Sequence, residues 1–170
     1  MRTLKCRPAI LLALALAALA PAAGRAATAP PAGDQAVRVR WYTYDEGTAR
    51  AKQTGRLLLI DFWADWCGWC RKMKAETFTD PAVVAAMNGD FVPVSVNTTV
   101  EQARAAAYGV SALPVIWFVE KDGATRITSL PGYVDAPNYL RILRYMSSRS
   151  FEKMSFPAWA AADSARAARK

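Results

Sequence analysis

From Arg56 to Ala64 the chain is almost continuously apolar, and Leu57-Leu58-Leu59-Ile60-Asp61-Phe62-Trp63 carries a single charge. A run of this length and kind predicts a strand covered on both faces. On either side the apolar spacing changes to that of a helix. Trp41 to Gly55 reads as one helix, with Trp41, Tyr44 and Ala51 inward and Gly55 as its stop. A second begins at Cys67-Gly68-Trp69-Cys70 and runs through Glu76. Thr79-Asp80-Pro81 breaks it, and Pro81 opens a further helical stretch over Ala82 to Met87. Phe91 to Val96 is the next strand, where Pro93 marks an irregular position. Glu101 to Tyr108 is a short helix stopped by Gly109. Val115 to Val119 and Ala124 to Leu130 are two strands joined by a tight turn at Lys121-Asp122-Gly123. Asp135 to Ser147 closes the pattern as a helix presenting Tyr139, Ile142, Leu143 and Met146 on one face. This order predicts an α/β fold with a central mixed β-sheet flanked by helices.

The two ends follow different rules. Arg2, Lys5 and Arg7 precede an unbroken run of twelve apolar residues, Ala9 to Ala20, followed by small residues that suit cleavage after Ala22 or Ala26. Residues 1–26 read as a secretory signal peptide, since a membrane anchor needs about 18 or more apolar positions. Residues 27–36, rich in Ala and Pro, read as a flexible spacer, and 37–150 as the folded domain. From Ser150 the tail, residues 151–170, allows two forms: an amphipathic helix packed by Phe151, Phe156 and Trp159, or a frayed end.

Charge and composition narrow the function. The whole chain carries +8; loss of Arg2, Lys5, Arg7 and Arg25 with the leader leaves 18 basic against 14 acidic side chains, a net of +4. That modest, scattered excess does not point to nucleic acid. The chain has no histidine, so a Ser-His-Asp triad, a Cys-His nucleophile and a His-containing metal site are ruled out. With Cys6 removed, Cys67 and Cys70 are the remaining thiols, two ligands short of a structural zinc site. No metal is expected.

Two thiols three residues apart at a strand-to-helix junction can close a disulfide and reopen it. Cys67, at the helix N-terminus, has the dipole and free N–H groups that favour a thiolate, and is expected to be the nucleophile. Cys70, one turn further in, is expected to resolve the mixed disulfide. Asp61 is the lone charge of the buried strand; desolvation should raise its pKa and fit it to accept the Cys70 proton. Trp66 and Trp69 flank the thiols, the first as a substrate contact and the second, after Gly68, as a tuner of the redox potential; packing is the alternative role for both. Arg71, Lys72 and Lys74 read as a solvated helix face, and Trp63, Trp117 and Phe118 as core.

These residues also carry a family likeness. Asp61-Phe62-Trp63-Ala64-Asp65-Trp66-Cys67-Gly68-Trp69-Cys70 resembles the thioredoxin active-site segment, and Ala112-Leu113-Pro114-Val115 its cis-proline loop. Thr77-Phe78-Thr79-Asp80-Pro81-Ala82-Val83 is similar to the C-terminal domain of the DsbD family, and Pro131-Gly132-Tyr133 to exported thioredoxin-related proteins of the SoxW type. Trp69 departs from the pattern, standing where thioredoxin has proline. The likeness implies a thioredoxin fold, a cis bond before Pro114, substrate-facing backbone at Leu113 and close backbone approach at Gly132. It implies a periplasmic thiol–disulfide oxidoreductase that reduces protein disulfides, with the Cys67–Cys70 disulfide in place of a cofactor. A membrane thiol donor is the expected electron source and a monomer the expected form. The alternatives are an oxidant or isomerase of exported proteins, and a binding module without turnover.

Overall fold

β1 (Leu57–Trp63) runs through the middle of a four-stranded sheet and is buried along almost its whole length. The structure, a computed structural model, describes residues 38–169; the expected signal peptide (1–26), spacer (27–36) and Cys6 lie outside them. β1 pairs in parallel with β2 (Phe91–Asn97) and antiparallel with β3 (Val115–Val119), which pairs antiparallel with β4 (Arg126–Pro131). The strand order is β2-β1-β3-β4, the mixed sheet expected from the alternation of patterns.

Side chains alternate across a strand, so β1 feeds two cores. Leu58, Ile60 and Phe62 join Val92, Val94 and Val96 on one face, under α1 (Tyr44–Thr54) and α4 (Gln102–Ala107). α1 lies so near β2 that a Cβ on Gly47 would overlap the Val94 Cγ2 methyl. Leu57 and Leu59 point the other way, into a core built with α2 (Gly68–Glu76), α3 (Pro81–Asp90) and α5 (Ala136–Ser147). Met73, Val83, Val84, Met87, Tyr139, Leu143 and Met146 fill it. Asp61 shares that face.

Three local expectations are revised. α1 starts at Tyr44, not Trp41, because Thr43 closes a capping box with Glu46: its side chain accepts from the Glu46 N–H, and Glu46 accepts from the Thr43 N–H. Trp41 and Tyr42 are extended before it; Trp41 packs edge-on against Phe78, centroids 5.2 Å apart. Pro93 is not a break: β2 passes through it in register with Leu59. Its carbonyl accepts from the Tyr42 N–H at 2.9 Å, so an N–H at Pro93 would also have pointed away from β1, and no bond to β1 is lost. β4 begins at Arg126 because Asp122 holds the preceding residues in a turn, accepting from the Ala124 and Thr125 N–H groups.

The tail takes the helical form. After a 3₁₀ turn (Ser150–Glu152), α6 (Phe156–Ala167) lies on α5, and Trp159 enters the core. Tyr145 is the anchor, with Phe156 and Trp159 centroids 5.4 and 5.7 Å from its ring and its hydroxyl donating to the Met154 carbonyl. Among the described residues no helix is long and apolar enough to cross a membrane.

Candidate active site

Where β1 ends, a short turn leads directly into α2, and Cys67 is the N-cap of that helix. Its N–H donates to the Ala64 carbonyl at 3.1 Å, and its Sγ accepts the Cys70 N–H at 3.0 Å. Cys67 and Cys70 form a disulfide with Cα atoms 5.3 Å apart. Cys67 is 5 % and Cys70 2 % exposed, so the inner sulfur is the better shielded. When the bond is open, the donor that now meets the Cys67 sulfur and the positive end of α2 both favour a thiolate there.

Asp61, on the strand that leads into this turn, is 2 % exposed and lies opposite Ser95 of β2 and Ile116 of β3. Burial pushes its carboxyl up to about 7, against the pull of the Lys74 ammonium. A carboxyl poised near neutrality is suited to exchanging a proton with a thiol. Lys74 corrects the reading of a solvated helix face. It is half-buried, and its Nζ lies 2.9 Å from the centroid of the Trp63 indole. Trp63 is likewise more than core: it packs on Ala64, Cys67 and Cys70, fixed by a 2.7 Å hydrogen bond from its Nε1 to Ser95 Oγ. The signal for both was in the spacing. Lys74 follows Cys70 by four residues on one helix face, and Trp63 follows Asp61 by two on one strand face. Tyr139 of α5 is a third group missed; its fully buried hydroxyl has no hydrogen-bond partner among the described residues, and burial, with a smaller push from Asp61, holds it well above the usual tyrosine range.

The other wall comes from distant sequence. Leu113-Pro114 is joined by a cis peptide bond, and Leu113 packs against the cysteine cluster. Gly132 reaches the same loop, its N–H donating to the Pro114 carbonyl at 2.8 Å. A Cβ on Gly132 would meet nothing within 4 Å, so what calls for glycine within the chain is its φ of +83°, rather than crowding. Trp66 and Trp69 are 71 % and 59 % exposed around the disulfide, with Gly68 exposed between them. Trp69 leans on Tyr133 with centroids 5.6 Å apart, and the Lys72 ammonium lies over both rings. Tyr133 in turn donates to Glu76 at 2.7 Å. The structure thus brings Trp66, Gly68, Trp69, Leu113, Pro114 and Gly132 together around Cys67 and Cys70, on three separate segments, with Asp61 on the strand that leads into the cysteine turn and within the field of Lys74 from α2. Among the described residues no group of three or more Cys, Asp or Glu side chains is placed to hold a metal ion.

Comparison with known proteins gives the arrangement a family. The model of the thioredoxin-like domain matches residues 44–147. The thiol:disulfide interchange protein DsbD of Salmonella typhimurium is 35% identical over 103 residues, 57% of this chain and 18% of that protein. DsbD of Ralstonia nicotianae is 33% identical over 104 residues, 59% of this chain and 17% of that one. The chain therefore spans under a fifth of the length of these relatives. Among solved structures, a thioredoxin from Thermus thermophilus superposes with a TM-score of 0.59 at 31% identity, covering 64% of this chain and 87% of that one. The oxidised C-terminal domain of Neisseria meningitidis DsbD gives 0.50 at 28% identity, covering 59% and 89%. The chain belongs to the thioredoxin-like family and is a thiol–disulfide oxidoreductase carrying a Cys67–Cys70 disulfide.

Proposed function

We propose that this oxidoreductase is exported to the periplasm and reduces disulfides of other proteins, with Cys67 as nucleophile, Cys70 as resolving thiol and Asp61 as proton acceptor. The observation that carries the reading is the placement of Cys67: at the α2 N-cap, with the Cys70 N–H on its sulfur, at the end of the strand that carries a buried carboxyl raised toward neutrality. In the dithiol form the Cys67 thiolate attacks a substrate disulfide, and one substrate sulfur departs with the bonding pair. Cys70 then gives its proton to Asp61 and attacks Cys67 Sγ. The second substrate thiol leaves, and two electrons have passed from the pair to the substrate.

The surface around the sulfurs favours a protein substrate. Exposed Trp66 and Trp69 offer large apolar contacts, and the Leu113 backbone at the cis bond can meet an extended segment. The basic start and apolar run of residues 1–20 support export, and an exported reductant needs a dithiol donor reached through the membrane. The protein acts as a monomer in this reading.

Expression of Cys70→Ser in the native periplasm tests it. Unable to resolve, the variant should accumulate protein partners in mixed disulfides on Cys67. Full biological activity of Cys67→Ser would refute catalysis and leave a binding module; partners trapped only when the wild-type protein enters as the disulfide would reverse the direction.

A further inference from the structure

α2 carries three cations within four residues, and each has a different destination. Arg71 donates from Nη1 to the Asp65 carbonyl at 2.6 Å and stays exposed. Lys72 lies over Trp69 and Tyr133 and pairs with Glu76 at 3.9 Å. Lys74 turns inward. A lysine on a helix face ordinarily carries its ammonium out to water along its methylene stem. Here the ammonium is laid on the Trp63 indole, next to the strand position that bears Asp61.

Such a placement is unfavourable unless something offsets the lost hydration. Two things offset part of it, the face of an indole, the best aromatic partner for a cation, and the negative charges of Asp61 and Asp65, while burial still holds the ammonium below the usual lysine range. Cys70 shares the Lys74 face of α2, and the other titratable group whose charge couples to Asp61 is the Tyr139 hydroxyl from α5. Neither is cationic. Among the groups facing the carboxyl, Lys74 supplies the positive charge.

We propose that Lys74 is a positioning residue for the exchange reaction, its ammonium on Trp63 keeping the Asp61 carboxyl available as a carboxylate to receive the Cys70 proton. The inference rests on Asp61 being that acceptor. Burial favours the neutral acid and the ammonium favours the anion; with the ammonium removed, burial acts unopposed and less carboxylate is present at neutral pH. The step is then slower: the Cys70 S–H proton moves to a carboxylate oxygen, Cys70 Sγ bonds to Cys67 Sγ, the bond from Cys67 to the substrate sulfur breaks, and that sulfur leaves as a thiolate.

The test uses the full chain in its dithiol form, mixed in stopped flow with a dithiobis(nitrobenzoate) probe. A first, concentration-dependent phase loads Cys67; a second, concentration-independent phase is Cys70 expelling the remaining nitrothiolate. In the wild type the second rate should rise through a midpoint near 7. Lys74→Gln should move the midpoint up by on the order of one pH unit and slow the phase about fivefold at pH 7, with recovery in base, while Lys74→Arg keeps the wild-type profile. A Lys74→Gln profile superimposable on the wild type overturns the inference. Should Asp61→Asn leave the pH dependence in place, it is the acceptor role of Asp61 that fails instead. If the Gln variant loses near-UV circular dichroism, Lys74→Met, which retains the apolar stem, takes its place under the same criteria.

Discussion

Replacing Asp61 by Asn should make the stability of the oxidised protein nearly independent of pH between 5 and 9. The Asp61 carboxyl is 2 % exposed and raised from 3.8 to about 7 by burial, with Lys74 pulling the other way. In the unfolded chain it ionises near its ordinary value, so across this interval the folded chain holds a proton that the unfolded chain has released. Stability is therefore greatest below the unfolded value, falls as pH rises toward 7, and levels off beyond. At about 1.4 kcal/mol per unit, an interval of roughly three units amounts to about 4 kcal/mol, of which somewhat more than half falls between pH 5 and 7. The chain has no histidine, so the side chain that usually titrates in this window is missing. Urea unfolding of the disulfide form at half-unit steps would show wild-type stability declining by about 2–3 kcal/mol from pH 5 to 7.5, against a nearly level line for Asp61→Asn. The buried amide has its own unsatisfied polar atoms, costing about 1–3 kcal/mol at every pH, so the slope rather than the offset is the readout. Equal slopes in the two proteins would refute the raised carboxyl.

Gly132→Ala places a side chain at φ +83° and should cost about 1–2 kcal/mol in chemical denaturation, without any clash to relieve; an unchanged midpoint would mean that the loop relaxes to another conformation. Thr77 is fully buried and its hydroxyl donates to the Val134 carbonyl at 2.6 Å, so Thr77→Val should lose about 1–2 kcal/mol, read from the same curves. With Trp69 between the cysteines in place of proline, the Cys67–Cys70 couple should equilibrate with glutathione at a potential above thioredoxin's roughly −270 mV, and a value at or below that would contradict the tuning role given to Trp69.

Most of the sheet was legible because β1 and β3 are apolar runs whose covered state leaves little choice of element; β3 begins and ends where the pattern placed it, at Val115 and Val119. Element ends were read less well where a side chain sets them. Thr43 and Glu46 form a capping box that the apolar spacing of Trp41, Tyr44 and Ala51 does not reveal, so the helix starts three residues later than that spacing predicts. Pro93 depended on knowing which side of β2 carries a partner, which is a property of the strand order rather than of the local sequence. In the candidate site the same division holds. Cys67, Cys70 and Asp61 announce themselves as chemical types out of place in apolar surroundings. Lys74, Trp63 and Tyr133 are ordinary residues in ordinary patterns, and they acquire a role through contacts between α2, β1 and the segment after β4.

Tyr42 and Pro93 bear on how the molecule behaves among its own copies. β2 is an outer strand, and an outer strand with a free row of donors and acceptors is a template for the strand of another molecule. Here Pro93 brings no donor to that row, while its carbonyl and the Ser95 N–H are already engaged by Tyr42. An approaching strand would find the middle of the row occupied, so this margin of the sheet is guarded against edge-to-edge aggregation by one imino acid and one residue of the segment leading into α1.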